Sequence, residues 1–202
     1  MDINFAALGY LFLRLAPFII VSFFALSSLF NQDFKGIIYL VGLLVSTVLV
    51  VSIETILPAF IIEAPSEKDY TCDSLRISTN SPISNLPLGT GVIAYTLGYL
   101  LFIIVKYNYV KDNAPTLIFF SALLILEVLW HSQHYCFTLI SILITILLFA
   151  GLGTLISFLI DHLKMTDLQY FNGVSGKEAC SRPQKQTFRC NVYKNGQLIT
   201  TT

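Results

Sequence analysis

Two polar stretches interrupt an otherwise apolar chain, and they hold most of the side chains able to do chemistry. The first is Pro87-Leu88-Gly89-Thr90. Proline stiffens the approach, glycine permits a sharp turn, and the Thr90 hydroxyl can cap the helix that follows. The second runs from His131 through His134 to Thr138. An imidazole can attack an electrophile, move a proton or hold a metal. A metal would need further Cys or acidic ligands at suitable spacing; none follows, so neither a metal nor a cofactor is expected. Three more ionisable groups, Arg14, Glu54 and Glu127, fall in or near apolar runs. At membrane depth each would cost roughly 2.5 to 3.5 kcal/mol, so such groups pair, line a polar pocket or, as Arg14 could, snorkel to an interface.

The elements that must position these groups are read from hydropathy. Of 202 residues, 55% are hydrophobic and 12% charged, with a mean hydropathy of +0.73. Soluble domains carry about 25% charged residues, so a membrane protein is expected. A helix needs roughly 20 mostly apolar residues to cross about 30 Å of hydrocarbon. Five runs qualify: Phe5 to Phe30, Ile37 to Ile62, Gly91 to Tyr107, Leu117 to Trp130 and Phe137 to Ile160. None alternates every second residue as a membrane strand would. The expected fold is therefore an all-α, polytopic transmembrane helical bundle over 1–163, with a connection at 63–88 and a polar C-terminal tail over 164–202. The first run is long and has an acidic leader, Met1-Asp2, which reads as a retained span and not as a cleaved signal peptide. Small residues Gly91, Gly98, Gly151 and Gly153 would let helices approach closely.

Charge sets the expected orientation. One side collects Lys35, Lys106, Lys111 and the tail cations, while the other has Lys68 and Arg76 against Asp2, Glu63, Glu67, Asp69 and Asp73. By the positive-inside rule the tail is cytoplasmic and the 63–88 connection luminal or exterior, on the same face as His134. A net charge of zero argues against bulk nucleic-acid binding.

Order and spacing over roughly residues 36 to 160 resemble the type-2 phosphatidic acid phosphatase superfamily, helical membrane enzymes that hydrolyse lipid phosphates. "APSEKDYTC" looks like the family's Arg-Pro segment, "PLGT" like its Pro-Ser-Gly-His motif, and "HYCFT" like its third-motif histidine run. The resemblance implies six spans where five are found, and it implies a site that has lost its chemistry. Leu57 and Ala64 stand at the Lys and Arg positions, and Leu88 and Thr90 at Ser and His. Glu127 and Val128 stand at Ser and Arg, and Thr138 at Asp. Only His134, matching the nucleophile, remains with Pro65, Pro87 and Gly89. Phosphoryl transfer depends on fixed cations and donors around the equatorial oxygens, and a carboxylate there repels phosphate. A vestigial pocket of Pro87, Gly89, Thr90, His134 and Thr138 without catalytic activity is expected.

The tail holds Asn195-Gly196, the signature of a two-residue type I′ turn, between "FRCNVYK" and "QLITT". This predicts either a β-hairpin, marginal alone and stabilised by a partner, or a disordered polar tail. Lys177, Arg182, Lys185, Arg189 and Lys194, with the Asn195-Gly196 turn, are the candidate contacts to a partner. Cys72 and Cys136 could pair on the luminal side, whereas Cys180 and Cys190 would stay reduced in a cytosolic tail. The expected role is non-enzymatic: an anchor among membrane lipids that docks a protein scaffold through its tail. Phosphatases of this look are encoded by large DNA viruses, which would make the scaffold a capsid and the membrane an inner virion membrane or the host endoplasmic reticulum. An active lipid phosphatase and a lipid or small-solute transporter built around Arg14, Glu54 and Glu127 are the alternatives.

Overall fold

The computed structural model describes residues 5–56, 84, 86–165 and 168–169, and the strands 191–194 and 197–201, with backbone alone for 5–8, 10 and the strands. The bundle is helical throughout: α1 (Phe5–Asn31), α2 (Lys35–Glu54), α3 (Leu88–Lys106), α4 (Ala114–Gln133) and α5 (Leu139–His162). All five are long and apolar enough to cross a membrane, so the chain is a multi-pass membrane protein of the all-α class. The second run ends earlier than hydropathy suggested, at Glu54; residues 57–62 lie outside the described residues.

Short turns make α1 and α2, and α3 and α4, antiparallel neighbours, while α5 runs back from the end of α4 to pack on α3. The longer connection from α2 to α3 returns to the end it left, because the Ser84 hydroxyl donates to the Glu54 carboxylate. One end of the bundle therefore gathers Arg14, Glu54, Leu86 to Thr90 and Glu127 to Thr138. The opposite end holds the 32–34 turn, the 107–113 turn and the close of α5.

Helix α3 is the hub. Its span is 61% buried, against 22% for α4 and 33% or less for the other three. It packs most extensively on α5, and glycine makes the approach possible. A Cβ on Gly98 would lie 2.4 Å from the Ala150 carbonyl oxygen, and one on Gly153 would lie 2.4 Å from that of Tyr95. Without a hydrophobic force between helices in lipid, such backbone proximity is a main source of association. Gly91 likewise admits the Phe149 ring, and Gly36 and Gly42 do the same service on α2 against α1, α3 and α5. Gly151 was expected in this group and does not belong to it; nothing approaches within 4 Å of a Cβ there.

The core at the α1–α2–α3 junction is aromatic. Phe24 stacks on Tyr39 at 3.9 Å between ring centroids, and Tyr39 meets Tyr95 and Tyr99 at 5.4 and 5.5 Å. Within it Tyr39 shares a 2.6 Å hydrogen bond with Thr96, whose hydroxyl also lies 2.7 Å from the Val92 carbonyl.

Helices α1, α3, α4 and α5 stop at a non-glycine residue with positive φ: Gln32, Asn108, Tyr135 and Lys164. At α1 the Asp33 amide reaches back to the Ser28 carbonyl and the Gln32 amide to Leu29. The same doubled bond closes α3 and α5, from Tyr109 to Ile104 and from Met165 to Ile160. These are Schellman closures, usually built on glycine.

The chain forms two compact units, Met1–Phe171 and Asn172–Thr202. The first extends past 163 because Gln169 is buried and its amide donates to the Ser157 carbonyl at 3.2 Å. The second contains an antiparallel hairpin of β1 (Asn191–Lys194) and β2 (Gln197–Thr201), with Lys194 opposite Gln197 and a register shift between Val192 and Tyr193. Asn195 and Gly196, where the turn was expected, lie outside the described residues, as do Lys177, Arg182, Lys185 and Arg189.

Candidate functional site

Helix α4 carries the two groups that define the site. Glu127 and His131 are four apart, hence on one face of a helix, and their side chains are each 5% exposed. His131 Nε2 lies 3.4 Å from Glu127 Oε1. A cavity beside them is lined by Leu13 and Arg14 of α1, by Glu127, Trp130 and His131 of α4, and by Cys136 and Phe137 of the turn into α5. Water-sized space inside it is about 10 Å3, room for about one water molecule. Gly89 comes close to the same carboxylate: a Cβ there would lie 3.3 Å from Pro17 Cγ and 3.6 Å from Glu127 Oε1.

Hydrogen-bonding capacity beside the cavity is left unused. His131 Nδ1 has no hydrogen-bond partner. Arg14, half-buried, makes no hydrogen bond or ion pair among the described residues. A buried atom such as His131 Nδ1 left in this way is uncommon, since it forfeits the hydration it had in water.

The structure brings Arg14 and Glu127 to one cavity, as a polar pocket requires, but not Glu54. That carboxylate sits at the last turn of α2 and takes the Ser84 hydroxyl, so it belongs to the bundle margin. His134 also falls outside the lining. It follows the end of α4, half-buried, with its ring 4.2 Å from that of Trp130. The inward-facing imidazole is that of His131; the Glu-x-x-x-His spacing on a helix was the signal that could have found it.

The turn residues have ordinary duties. Pro87 is the N-cap residue of α3 and makes no side-chain cap bond. Thr90 was expected to cap α3, but it sits inside the first turn, fully buried, with its hydroxyl unpartnered. The helix starts three residues earlier than that role needs, because Pro87, with φ of −73°, already presents a carbonyl to the Gly91 amide. Thr138, standing where the resemblance would place Asp, is the N-cap of α5 and accepts from the Ser141 amide at 3.3 Å. Cys136 is disulfide-bonded, and its partner lies outside the described residues. Among the described residues no group of three metal-ligating side chains forms.

No protein-family model matches the chain, and no curated protein or solved structure matches it. The resemblance to lipid phosphatases thus stands on the quoted residues alone.

At the opposite end, Asp161 of α5 takes Lys106 in an ion pair and the Tyr107 hydroxyl at 2.7 Å. This joins the last turn of α3 to that of α5.

Proposed function

We propose that this chain is a non-enzymatic, multi-pass membrane anchor that docks a protein scaffold through its C-terminal hairpin. The observation that carries this reading is the second compact unit, in which two strands pair only with each other among the described residues. A two-stranded ladder leaves both outer edges open and is marginal by itself in water. Strand addition by a partner would satisfy the edge and supply the missing stability.

The membrane unit favours anchoring over catalysis. A cavity with room for one water cannot take a phosphate ester, and Glu127 would repel one. His134, the residue matching the phosphatase nucleophile, is not among the groups lining it. A decayed phosphatase scaffold, with a capsid as the partner at a viral inner membrane, is the finer form of this proposal.

For orientation, the disulfide at Cys136 suits an oxidising, non-cytosolic side. The tail follows α5, which ends opposite, and so would be cytosolic, in agreement with the distribution of Lys and Arg. Cys72 is the only other cysteine in a connection that begins and finishes at the Cys136 end. Non-reducing peptide mapping should therefore return a Cys72–Cys136 pair.

Crosslinking mass spectrometry on native membranes tests the anchor. Crosslinks from Lys177, Lys185 and Lys194 should converge on one abundant scaffold protein and vanish when residues 172–202 are deleted, with the bundle still inserted. A second reading, a carrier using Arg14 and Glu127, draws on their shared cavity. It predicts solute flux into proteoliposomes that is lost on Glu127→Gln, whereas an anchor gives none.

A further inference from the structure

The cavity at Arg14, Glu127 and His131 is bounded by donors and acceptors that do not complete one another. Glu127 Oε1 faces His131 Nε2 at 3.4 Å. A carboxylate on one imidazole nitrogen draws the proton to that nitrogen and leaves the other as an acceptor. His131 Nδ1 is then a lone pair, enclosed and without a donor. Arg14 is the converse: a guanidinium has donors only, and none is used among the described residues. Both side chains line the same water-sized space. What fits there must be about the size of water, accept from a guanidinium and donate to an imidazole.

We propose that a single water molecule is a resident ligand of this cavity, accepting from Arg14 and donating to His131 Nδ1. The result is a continuous series, Arg14, water, His131 and Glu127, joining α1 to α4. Its charges sum to zero when the imidazole is neutral, which lets both ions remain at the edge of the hydrocarbon. Other charged groups do not enter the lining: Leu13, Trp130, Phe137 and the disulfide-bonded Cys136 complete it. A chloride ion suits the space less well, because it cannot donate to Nδ1 and would need a proton there instead.

Solid-state NMR of the full chain with 15N-labelled histidine in lipid bilayers tests this. The three resonance sets are assigned with His134→Gln and His162→Gln. The expected result is a neutral His131 protonated at Nε2, with a cross-peak to water at short mixing time. Arg14→Met should remove the water cross-peak and keep the Nε2–H tautomer, whereas Glu127→Gln should weaken the tautomer preference. A proton on Nδ1, a His131 with no water contact, or a His131 spectrum that changes when gluconate replaces chloride would each overturn the proposal. Because wild-type protein already decides the tautomer and the hydration, a variant that fails to fold does not rescue it.

Discussion

The two ends of the bundle use charge in opposite ways. At one, Asp161 is met directly by Lys106 and Tyr107. The arrangement is complete, and Lys106 is 43% exposed, so water supplies whatever the protein does not. At the other, Glu127 and His131 are buried together while Arg14 and His131 Nδ1 stay unmatched. The difference teaches how to separate a fastening from a binding site in a membrane protein. A fastening satisfies its own atoms at the margin, and a site keeps some atoms waiting in an enclosed space.

Four measurements would break or sharpen that contrast. The largest effect should come from the frame both ends share. Gly98→Leu would drive a side chain into the Ala150 backbone and should cost about 3 kcal/mol, read as a drop in thermal unfolding midpoint in detergent. Next is Glu127→Ala, which strands a second polar atom of His131 in a buried place and should cost about 2 kcal/mol. Equal loss at high and low salt would agree with burial. Asp161→Asn keeps the Tyr107 hydrogen bond and removes the ion pair, so about 1 kcal/mol should be lost, and less of it in 1 M salt. If Asp161→Asn proved more damaging than Glu127→Ala, the assignment of site and fastening would be reversed. Smallest is Gln32→Gly, which removes a positive-φ penalty at the end of α1 and should raise stability by about 0.5 kcal/mol.

The spans were legible in the sequence because hydrocarbon imposes a length and a composition on each helix separately. Glycine packing was legible only in part. Gly98 and Gly153 face a neighbour while Gly151 does not, and which face a helix turns inward is settled by the whole bundle. The site was half legible. Arg14 and Glu127 stand out by charge, whereas the motif resemblance points to His134 and not to the His131 that faces Glu127. Only three residues separate a histidine facing the core from a neighbouring one set against the Trp130 ring. The helix stops at Gln32, Asn108, Tyr135 and Lys164 carry no glycine signal; their geometry follows from backbone bonds that no side chain announces.

The burial of α3 has a bearing on how the protein is made. Synthesis delivers α3 to the membrane well before α5, the helix that covers Gly91 and Gly98 and faces its inner side. During that interval the most enclosed helix of the finished bundle has the glycine face that α5 will cover still unpacked. Chains halted after α4 should therefore be retained by insertion machinery or degraded, while chains reaching Leu163 should be released and long-lived. The order of the genetic message thus places the keystone third and its support fifth, and quality control in the membrane has to bridge the gap.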